Sequence, residues 1–96
     1  MKLTSKQRAK LRGLANSISA LYQIGKDGIT ENMVKQFEDA LEAKELIKVH
    51  VLDNALADTR EIAEEAAKLS GAQTVQIIGS KFVLYKESKE NKKIEI

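Results

Sequence analysis

The residues whose types and spacing could do chemistry lie between Ile24 and Thr30. The run Ile24-Gly25-Lys26-Asp27-Gly28-Ile29-Thr30 follows an apolar stretch and precedes an amphipathic one, which predicts a strand, a glycine loop and a helix. Two glycines in a G-x-x-G pattern allow a sharp turn and leave no Cβ to obstruct another molecule. The helix would add unpaired N–H groups and the positive end of its dipole. The arrangement suits a phosphate or a nucleic-acid backbone; the alternative is a tight connection whose glycines serve only the dihedral angles.

The charge distribution around this loop favours the phosphate interpretation. The formal net charge is only +2, but residues 1–26 contain six Lys or Arg and no acid. Residues 27–65 then contain eleven acids against four bases, and residues 66–96 contain six bases against three acids. Such segregation predicts a basic face for a polyanion, most directly a nucleic acid. A solvated basic face without a partner is the alternative.

Catalytic chemistry has few candidates in this chain. The absence of Cys excludes disulfides, thiolate metal sites and cysteine nucleophiles. The only histidine, His50, lies between Val49 and Val51, which indicates a residue on a sheet face rather than a general base. A dedicated zinc site lacks its usual ligands, and the glycine pair lacks the downstream Lys-Ser/Thr of a Walker loop. We therefore predict no enzyme activity, no metal, no cofactor and no small-molecule substrate.

Length and composition indicate one small domain. Ninety-six residues suffice for a modest core of two layers. The N-terminal Met-Lys-Leu-Thr-Ser-Lys contains no apolar signal segment, and no apolar run approaches the length of a membrane span. Together with the lack of Cys, this composition predicts a monomeric, cytoplasmic protein without membrane association.

The elements that must position the glycine loop follow from local signals. A first helix begins at Thr4, which forms a capping-box pattern with Gln7. A strand over residues 20–24 leads into the loop, and Thr30 is the expected N-cap of the second helix. The apolar stripe of the first helix comprises Leu11, Leu14, Ala15 and Ile18.

The first helix also presents cations on both sides of its apolar stripe. At roughly 100° per residue, Lys6 and Lys10 fall on one flank, and Arg8 and Arg12 fall on the other. We favour the arginine flank for RNA because guanidinium groups match phosphate oxygens in a bidentate manner. Within the loop itself, Asp27 must point away from a bound phosphate or be outweighed by its basic neighbour.

The rest of the chain completes an α/β fold. We expect a strand over residues 45–52, a helix opened by a capping box at Asp58 and Glu61 and ended by Gly71, and strands over residues 74–78 and 81–85 joined by a type II′ turn at Gly79-Ser80. The order α-β-α-β-α-β-β indicates a two-layer sandwich with a four-stranded mixed sheet. The pattern does not place the first helix. Residues 87–96, mostly Lys and Glu, are expected to be a frayed, charged C-terminal tail.

Four segments in this order resemble the CRM domain family, named for chloroplast RNA splicing and ribosome maturation, and especially its bacterial stand-alone YhbY-like members. The segments are Leu3-Thr4 with Gln7-Arg8 and Leu11-Arg12; residues 24–30; Ala40-Leu41-Glu42 with Glu45-Leu46-Ile47-Lys48-Val49; and Gly79 with Val83-Leu84-Tyr85. They make residues 1–86 the expected CRM domain and residues 87–96 the tail. The resemblance implies a fold similar to the C-terminal domain of translation initiation factor three, with an exposed GxxG loop. It also implies binding to ribosomal RNA during assembly of the large ribosomal subunit.

The leading hypothesis is thus a non-catalytic RNA-binding protein that acts on precursors of the large ribosomal subunit. Its contacts would be mainly to the phosphate–sugar backbone, which positions a protein without reading much sequence. The alternative is a protein-interaction module that uses the acidic second helix. The predicted RNA-binding residues are Gly25, Lys26, Asp27 and Gly28 in the loop, Arg8, Arg12, Lys6 and Lys10 on the first helix, and Lys48 and Lys81 on the strands.

Overall fold

Three helices and a four-stranded sheet form from residues 2–96, the part of the chain that the computed structural model describes. The elements are α1 (Ser5–Ala15), β1 (Ala20–Ile24), α2 (Glu31–Lys44), β2 (Leu46–Val51), α3 (Thr59–Ser70), β3 (Gln73–Ile78) and β4 (Lys81–Tyr85). The strand order is β1-β2-β4-β3. β1 and β2 are parallel, and β4 is antiparallel to both of its neighbours. The predicted α/β fold, element order and mixed sheet are therefore confirmed.

Side-chain caps explain where the helices begin and end. The hydroxyl of Thr4 accepts the N–H of Gln7 at 3.1 Å, and the Gln7 side chain accepts the N–H of Thr4 at 2.9 Å. Thr30 and Asp58 each accept a backbone N–H three residues further along the chain. Gly71, at φ 73°, ends α3 in the left-handed conformation that glycine adopts without strain. The predicted N-caps and the glycine stop are confirmed.

Each face of the sheet carries a cluster of buried apolar side chains. On one face, α2 and α3 enclose the main core, which comprises Ile24, Phe37, Ala40, Leu41, Ile47, Val49, Val51, Ile62, Ala63, Ala66, Ala67, Phe82 and Leu84. On the other face, Leu11 and Ala15 of α1 pack against Leu46, Val83 and Tyr85. The first helix, which the sequence pattern left unplaced, thus lies on the side of the sheet opposite α2 and α3. Leu14, expected in the apolar stripe, is 40% exposed.

A bulge in β3 receives the guanidinium group of Arg8. The pairing of β3 with β4 shifts register between Thr74 and Gln76, so the strand is irregular at this point. The Nη1 of Arg8 donates to the carbonyl oxygen of Thr74 and, at 3.3 Å, to that of Val75. Charge-assisted hydrogen bonds of this kind are stronger than neutral ones, and they fix α1 over β3.

Residues 87–96, which we call the tail, are held against the sheet, so the prediction of a frayed segment was wrong. The carboxylate of Glu45 is fully buried and accepts the N–H groups of Ser88, Lys93 and Ile94 at 2.6–2.8 Å. Burial raises the pKa of Glu45, but these N–H donors outweigh burial and leave the pKa below its usual value. A buried anion is therefore satisfied by main-chain donors of the tail.

Glu42, one turn earlier on α2, holds the first part of the tail. Its carboxylate accepts the Ser88 hydroxyl at 2.6 Å and the N–H groups of Lys89 and Glu90 at 3.0 and 3.1 Å. The Ser88 bond, followed by the two N–H donors, lowers the pKa of Glu42 to about 2. We call Glu42 and Glu45 together the tail clamp. Beyond the clamp, Ile94 and Ile96 pack against the core beneath α1.

None of the helices described for residues 2–96 combines the length and the apolar content that crossing a membrane requires.

Candidate nucleic-acid interface

The glycine loop forms a tight turn directly after β1. The N–H of Gly28 donates to the carbonyl oxygen of Gly25 at 3.1 Å and closes a β-turn around Lys26 and Asp27. Both central side chains are exposed. α2 starts immediately after the loop, with Thr30 as its N-cap. The predicted succession of strand, glycine turn and helix is confirmed; the contact of this loop with RNA stays a prediction.

Glycine is favoured at the two positions of the turn for different physical reasons. A Cβ on Gly25 would lie 3.2 Å from the Oδ1 of Asn54 and 3.6 Å from the Cδ1 of Leu52, so this residue packs against its own protein. Gly28 has φ 67°, and a Cβ there would meet nothing within 4 Å. Only Gly28 therefore combines a backbone that favours glycine with open space for another molecule.

The glycine loop lies at one end of the sheet together with two other connections. β1 and β2 run parallel and finish together, since the N–H of Leu52 donates to the carbonyl oxygen of Ile24 at 2.8 Å. The N–H of Val51 donates to the carbonyl oxygen of Ser80 at 2.7 Å, which brings the β3–β4 turn to the same edge. We call this edge the loop end. Ligands of α/β sheets commonly bind at the carboxyl ends of parallel strands.

Lys48 and His50 lie on the sheet face that α1 covers in part. Both are half-buried, whereas Ile47, Val49 and Val51 on the opposite face are buried, so the predicted alternation is confirmed. Beyond the end of α1 this face remains open and forms a depression. We call it the sheet-face depression; its lining residues are Asn16, Lys48, Gln76, Ile78, Lys81 and Val83.

The sheet-face depression is cationic. Lys48 and Lys81, predicted from sequence as separate RNA contacts, line it together, and no acidic side chain is among the lining residues. Within residues 2–96 the ion pair that the structure contains joins Lys92 and Glu87 in the tail, with an N–O distance of 3.1 Å. The two cations of the depression are therefore available to an external anion.

The two flanks of α1 have different neighbours. Arg8, Arg12 and Asn16 follow at intervals of four residues and so occupy one row of the helix, which ends at the sheet-face depression. On the other flank, the Nζ of Lys10 donates to the carbonyl oxygen of Glu95, so this flank faces the tail. Since Arg8 already bonds to β3, Arg12 is the cation of the favoured row without a hydrogen bond in the described chain.

Acidic side chains mostly lie away from this surface. Glu31, Glu38 and Asp39 are exposed on α2, on the far side of the sheet from α1. The tail clamp is occupied by hydrogen bonds from the tail. Near the loop, Glu31 stands in the first turn of α2 and already complements the helix dipole. Attraction of a phosphate at the loop would thus come mainly from Lys26 rather than from the dipole.

Sequence reasoning missed the two amide side chains of the site. Asn16 follows α1 and Gln76 follows the bulge of β3, and both line the sheet-face depression. Neither has a sequence signal, because neutral amides occur throughout protein surfaces and only the packing of α1 on the sheet brings these two together. Across residues 2–96, His, Cys, Asp and Glu side chains form no group of three that could hold a metal ion.

Comparison with known proteins identifies relatives over almost the full length of the chain. The CRS1/YhbY (CRM) domain matches residues 3–86. Probable RNA-binding protein YqeI of Bacillus subtilis is 52% identical over 94 residues, covering 98% of each chain. An RNA-binding protein of Haemophilus influenzae is 36% identical, covering 94% of this chain and 91% of its own.

A solved structure supports the same grouping. The solution structure of SAV1595 from Staphylococcus aureus superposes with a TM-score of 0.82 at 54% sequence identity, and the match covers 99% of each chain. The two chains therefore share one fold over almost their full length.

Proposed function

The chain belongs to the CRS1/YhbY (CRM) domain family, and we propose that it is a non-catalytic RNA-binding protein whose RNA surface lies at the loop end of the sheet. The surface would comprise the glycine loop, Arg12, and Lys48 and Lys81 of the sheet-face depression. The target we propose is ribosomal RNA in precursors of the large ribosomal subunit, with a role in ribosome assembly. The names of the relatives support RNA as the ligand, and the family resemblance suggests the ribosomal target.

One observation carries this proposal. The cations of the sheet-face depression have no acidic neighbour in its lining. The carboxylates of Glu42 and Glu45, at the other end of the sheet, already accept several hydrogen bonds from the tail. Unpaired cations concentrated on one surface attract a polyanion and gain affinity by releasing its counterions.

The glycine loop adds a place for close approach. Because a side chain is absent at Gly28 and the surrounding space is open, an RNA backbone can lie against the main chain of the turn. Lys26 is exposed beside it and would neutralise a phosphate. Asp27 is also exposed, so it is free to turn toward solvent. Backbone contacts of this kind favour structured RNA without strong sequence selection.

The proposal is tested by measuring binding to fragments of large-subunit ribosomal RNA over a range of salt concentrations, by fluorescence anisotropy. The logarithm of affinity should fall with the logarithm of salt concentration, by a slope of roughly 0.7 per phosphate neutralised for single strands. Lys26→Met should weaken binding and reduce the slope. Lys68→Met, an exposed lysine of α3 on the far side of the sheet, is the matched control and should leave both unchanged.

Binding that does not depend on salt, or that responds equally to Lys26→Met and Lys68→Met, contradicts the proposed surface. The acidic-helix alternative is tested in parallel with Glu38→Gln and Asp39→Asn, which should not reduce RNA affinity. Crosslinking in cells followed by sequencing of the bound RNA then decides the ribosomal part of the proposal, since recovery of mainly other RNAs would refute it.

A further inference from the structure

The sheet-face depression contains two unused amide groups. Asn16 is exposed and Gln76 is half-buried, and neither side chain makes a hydrogen bond within residues 2–96. Each amide offers one acceptor oxygen and two N–H donors in a plane. Such a group matches the edge of a nucleobase, which also presents donors and acceptors in a plane.

The bulge in β3 is what turns Gln76 toward this depression. Val75 packs beneath α1 in the smaller core, and Gln76 pairs with Val83, which belongs to the same core. Two successive residues of β3 therefore face the α1 side, where a regular strand would alternate. The irregularity that receives Arg8 thus also supplies the second amide.

An apolar surface lies beside the amides. Ile78 is 59% exposed at the end of β3, although it follows strand residues that are buried or half-buried. Val83 is buried beneath the same depression. Enzymes that hold a nucleobase outside a helix pack its face against aromatic or apolar side chains, so Ile78 can serve as the platform for a base whose edge meets the amides.

The cations complete the features of a nucleotide site. Lys48 and Lys81 line the same depression, and β2 pairs with β4 so that Lys81 lies opposite His50, one side-chain repeat from Lys48. An ammonium group bonds a phosphate oxygen as a point charge. With no carboxylate in the lining, the charge complements an anionic nucleotide and disfavours a basic peptide, while the planar amides match a nucleobase edge.

From these contacts we propose that the sheet-face depression binds one unpaired nucleotide of the RNA and discriminates among bases through Asn16 and Gln76. The inference rests on the proposed function and deepens it: the glycine loop and the cations supply affinity for the backbone, while the depression supplies selectivity at one position. The RNA target should accordingly contain a single-stranded nucleotide next to a backbone segment that the loop contacts.

The experiment compares four homopolymeric hexaribonucleotides, of A, C, G and U, by anisotropy with the full chain. The wild-type protein should prefer one of them by about fivefold or more over the weakest. Asn16→Ala and Gln76→Met, which remove an amide and no charge, should each reduce this preference and leave the salt dependence unchanged. Lys48→Met should weaken all four to a similar extent. Gln36→Ala, an exposed amide on α2, is the matched control and should retain the wild-type preference.

The possible results distinguish the nucleotide site from RNA binding as such. If the wild-type protein binds the oligonucleotides with equal affinity, or keeps its preference in both amide variants, the nucleotide site is refuted while RNA binding stands. If it binds none of them and no ribosomal RNA fragment, the proposed function itself fails. Thermal unfolding of each variant verifies the fold, and Asn16→Ala provides an independent variant should the change in β3 disturb the strand.

Discussion

Charged side chains have opposite environments at the two ends of the sheet. At the loop end, Lys48 and Lys81 stand without acidic neighbours around an open depression. At the other end, where β2 begins, the carboxylate of Glu45 is completely buried and accepts three main-chain N–H groups. Lys48 is three residues along β2 from Glu45, and Lys81 pairs with His50, two residues further, so the separation is about 10 Å or more at the usual rise of a strand. This exceeds the screening length in physiological salt of roughly 8 Å, so the two ends hardly influence each other.

The difference shows which end stabilises the fold and which end is available for binding. Charges that are already hydrogen-bonded inside a protein contribute to its stability, and losing a partner is costly. Charges left without partners contribute little to stability and are free to bind. We therefore expect variants at the tail clamp to change the free energy of unfolding, and variants at the loop end to change RNA affinity.

Among variants at the two ends of the sheet, Glu45→Ala should have the largest effect, a loss in the free energy of unfolding. The backbone at this position is left-handed, with φ 67°, and this conformation is about equally unfavourable for Ala and for Glu. The variant therefore isolates the loss of the carboxylate. Three N–H groups lose their acceptor and the tail leaves the sheet, at a cost of about 3 kcal/mol in the free energy of unfolding. Urea denaturation measures it. Glu38→Ala, exposed on the same helix, should cost no more than about 0.5 kcal/mol.

A second prediction addresses the loop end. The double variant Lys48→Met/Lys81→Met keeps the apolar stems and removes both charges, so RNA affinity should fall by about tenfold at physiological salt, with a flatter salt dependence. The free energy of unfolding should not change. Lys35→Met/Lys68→Met, two exposed lysines of the helical layer, controls for net charge. A comparable loss of affinity in that control would mean that overall charge, rather than the loop end, attracts RNA.

The glycine turn gives a smaller, local test. Gly28→Asn places a side chain in the open space beside the turn, while Asn tolerates the left-handed backbone better than most residues. We expect RNA affinity to fall by about threefold to fivefold, since a close approach is obstructed without loss of charge. Gly71→Asn, at φ 73° between α3 and the start of β3 and thus away from the loop end, is the control; a Cβ there would meet only the flexible end of the Lys86 side chain. Thermal unfolding should show similar small losses for both, so greater weakening of RNA binding by Gly28→Asn identifies the loop.

Acid should release the tail before it affects the rest of the sheet. Both clamp carboxylates have a folded-state pKa below the usual value of 4.5, and that of Glu42 is about 2. Their contribution to stability is therefore complete above pH 4.5 and declines as the pH falls through the folded-state values. Relative to its intrinsic rate at each pH, backbone amide exchange of residues 88–94 should speed up in this interval while that of β2 remains slow. Equal acceleration in both segments would show that the tail is not a separate unit.

The features that could be predicted from the sequence depend on interactions between residues that are close along the chain. The capping box at Thr4, the N-cap at Thr30 and the glycine stop at Gly71 depend on residues within one turn of a helix, and the alternation of β2 depends on which side chains are apolar. The side of the sheet that α1 occupies is not local. Its apolar stripe fits either face, and Arg8 finds its acceptor on Thr74, 66 positions away.

The tail was mispredicted for a related reason. A run of Lys and Glu normally indicates solvated chain, and no side-chain pattern shows that its N–H groups have acceptors. Glu45 was included in a strand, whereas it ends α2 in the left-handed conformation and directs its carboxylate inward. The contact of the arginine flank with RNA stays a prediction; that row of α1 leads to the sheet-face depression, but the partner of Arg8 could not be foreseen from the sequence.

The tail clamp has a consequence for how freely this protein can change over time. Five of its bonds come from main-chain N–H groups, those of Ser88, Lys89, Glu90, Lys93 and Ile94. Almost any amino acid supplies the same donor, so the residues of this segment can be substituted while its attachment to the two glutamates persists. Proline, which lacks the N–H, is the exception at these positions. Two sequences could therefore share the attachment and show no detectable similarity after Tyr85, as long as both retain the two glutamates on α2 and at its end.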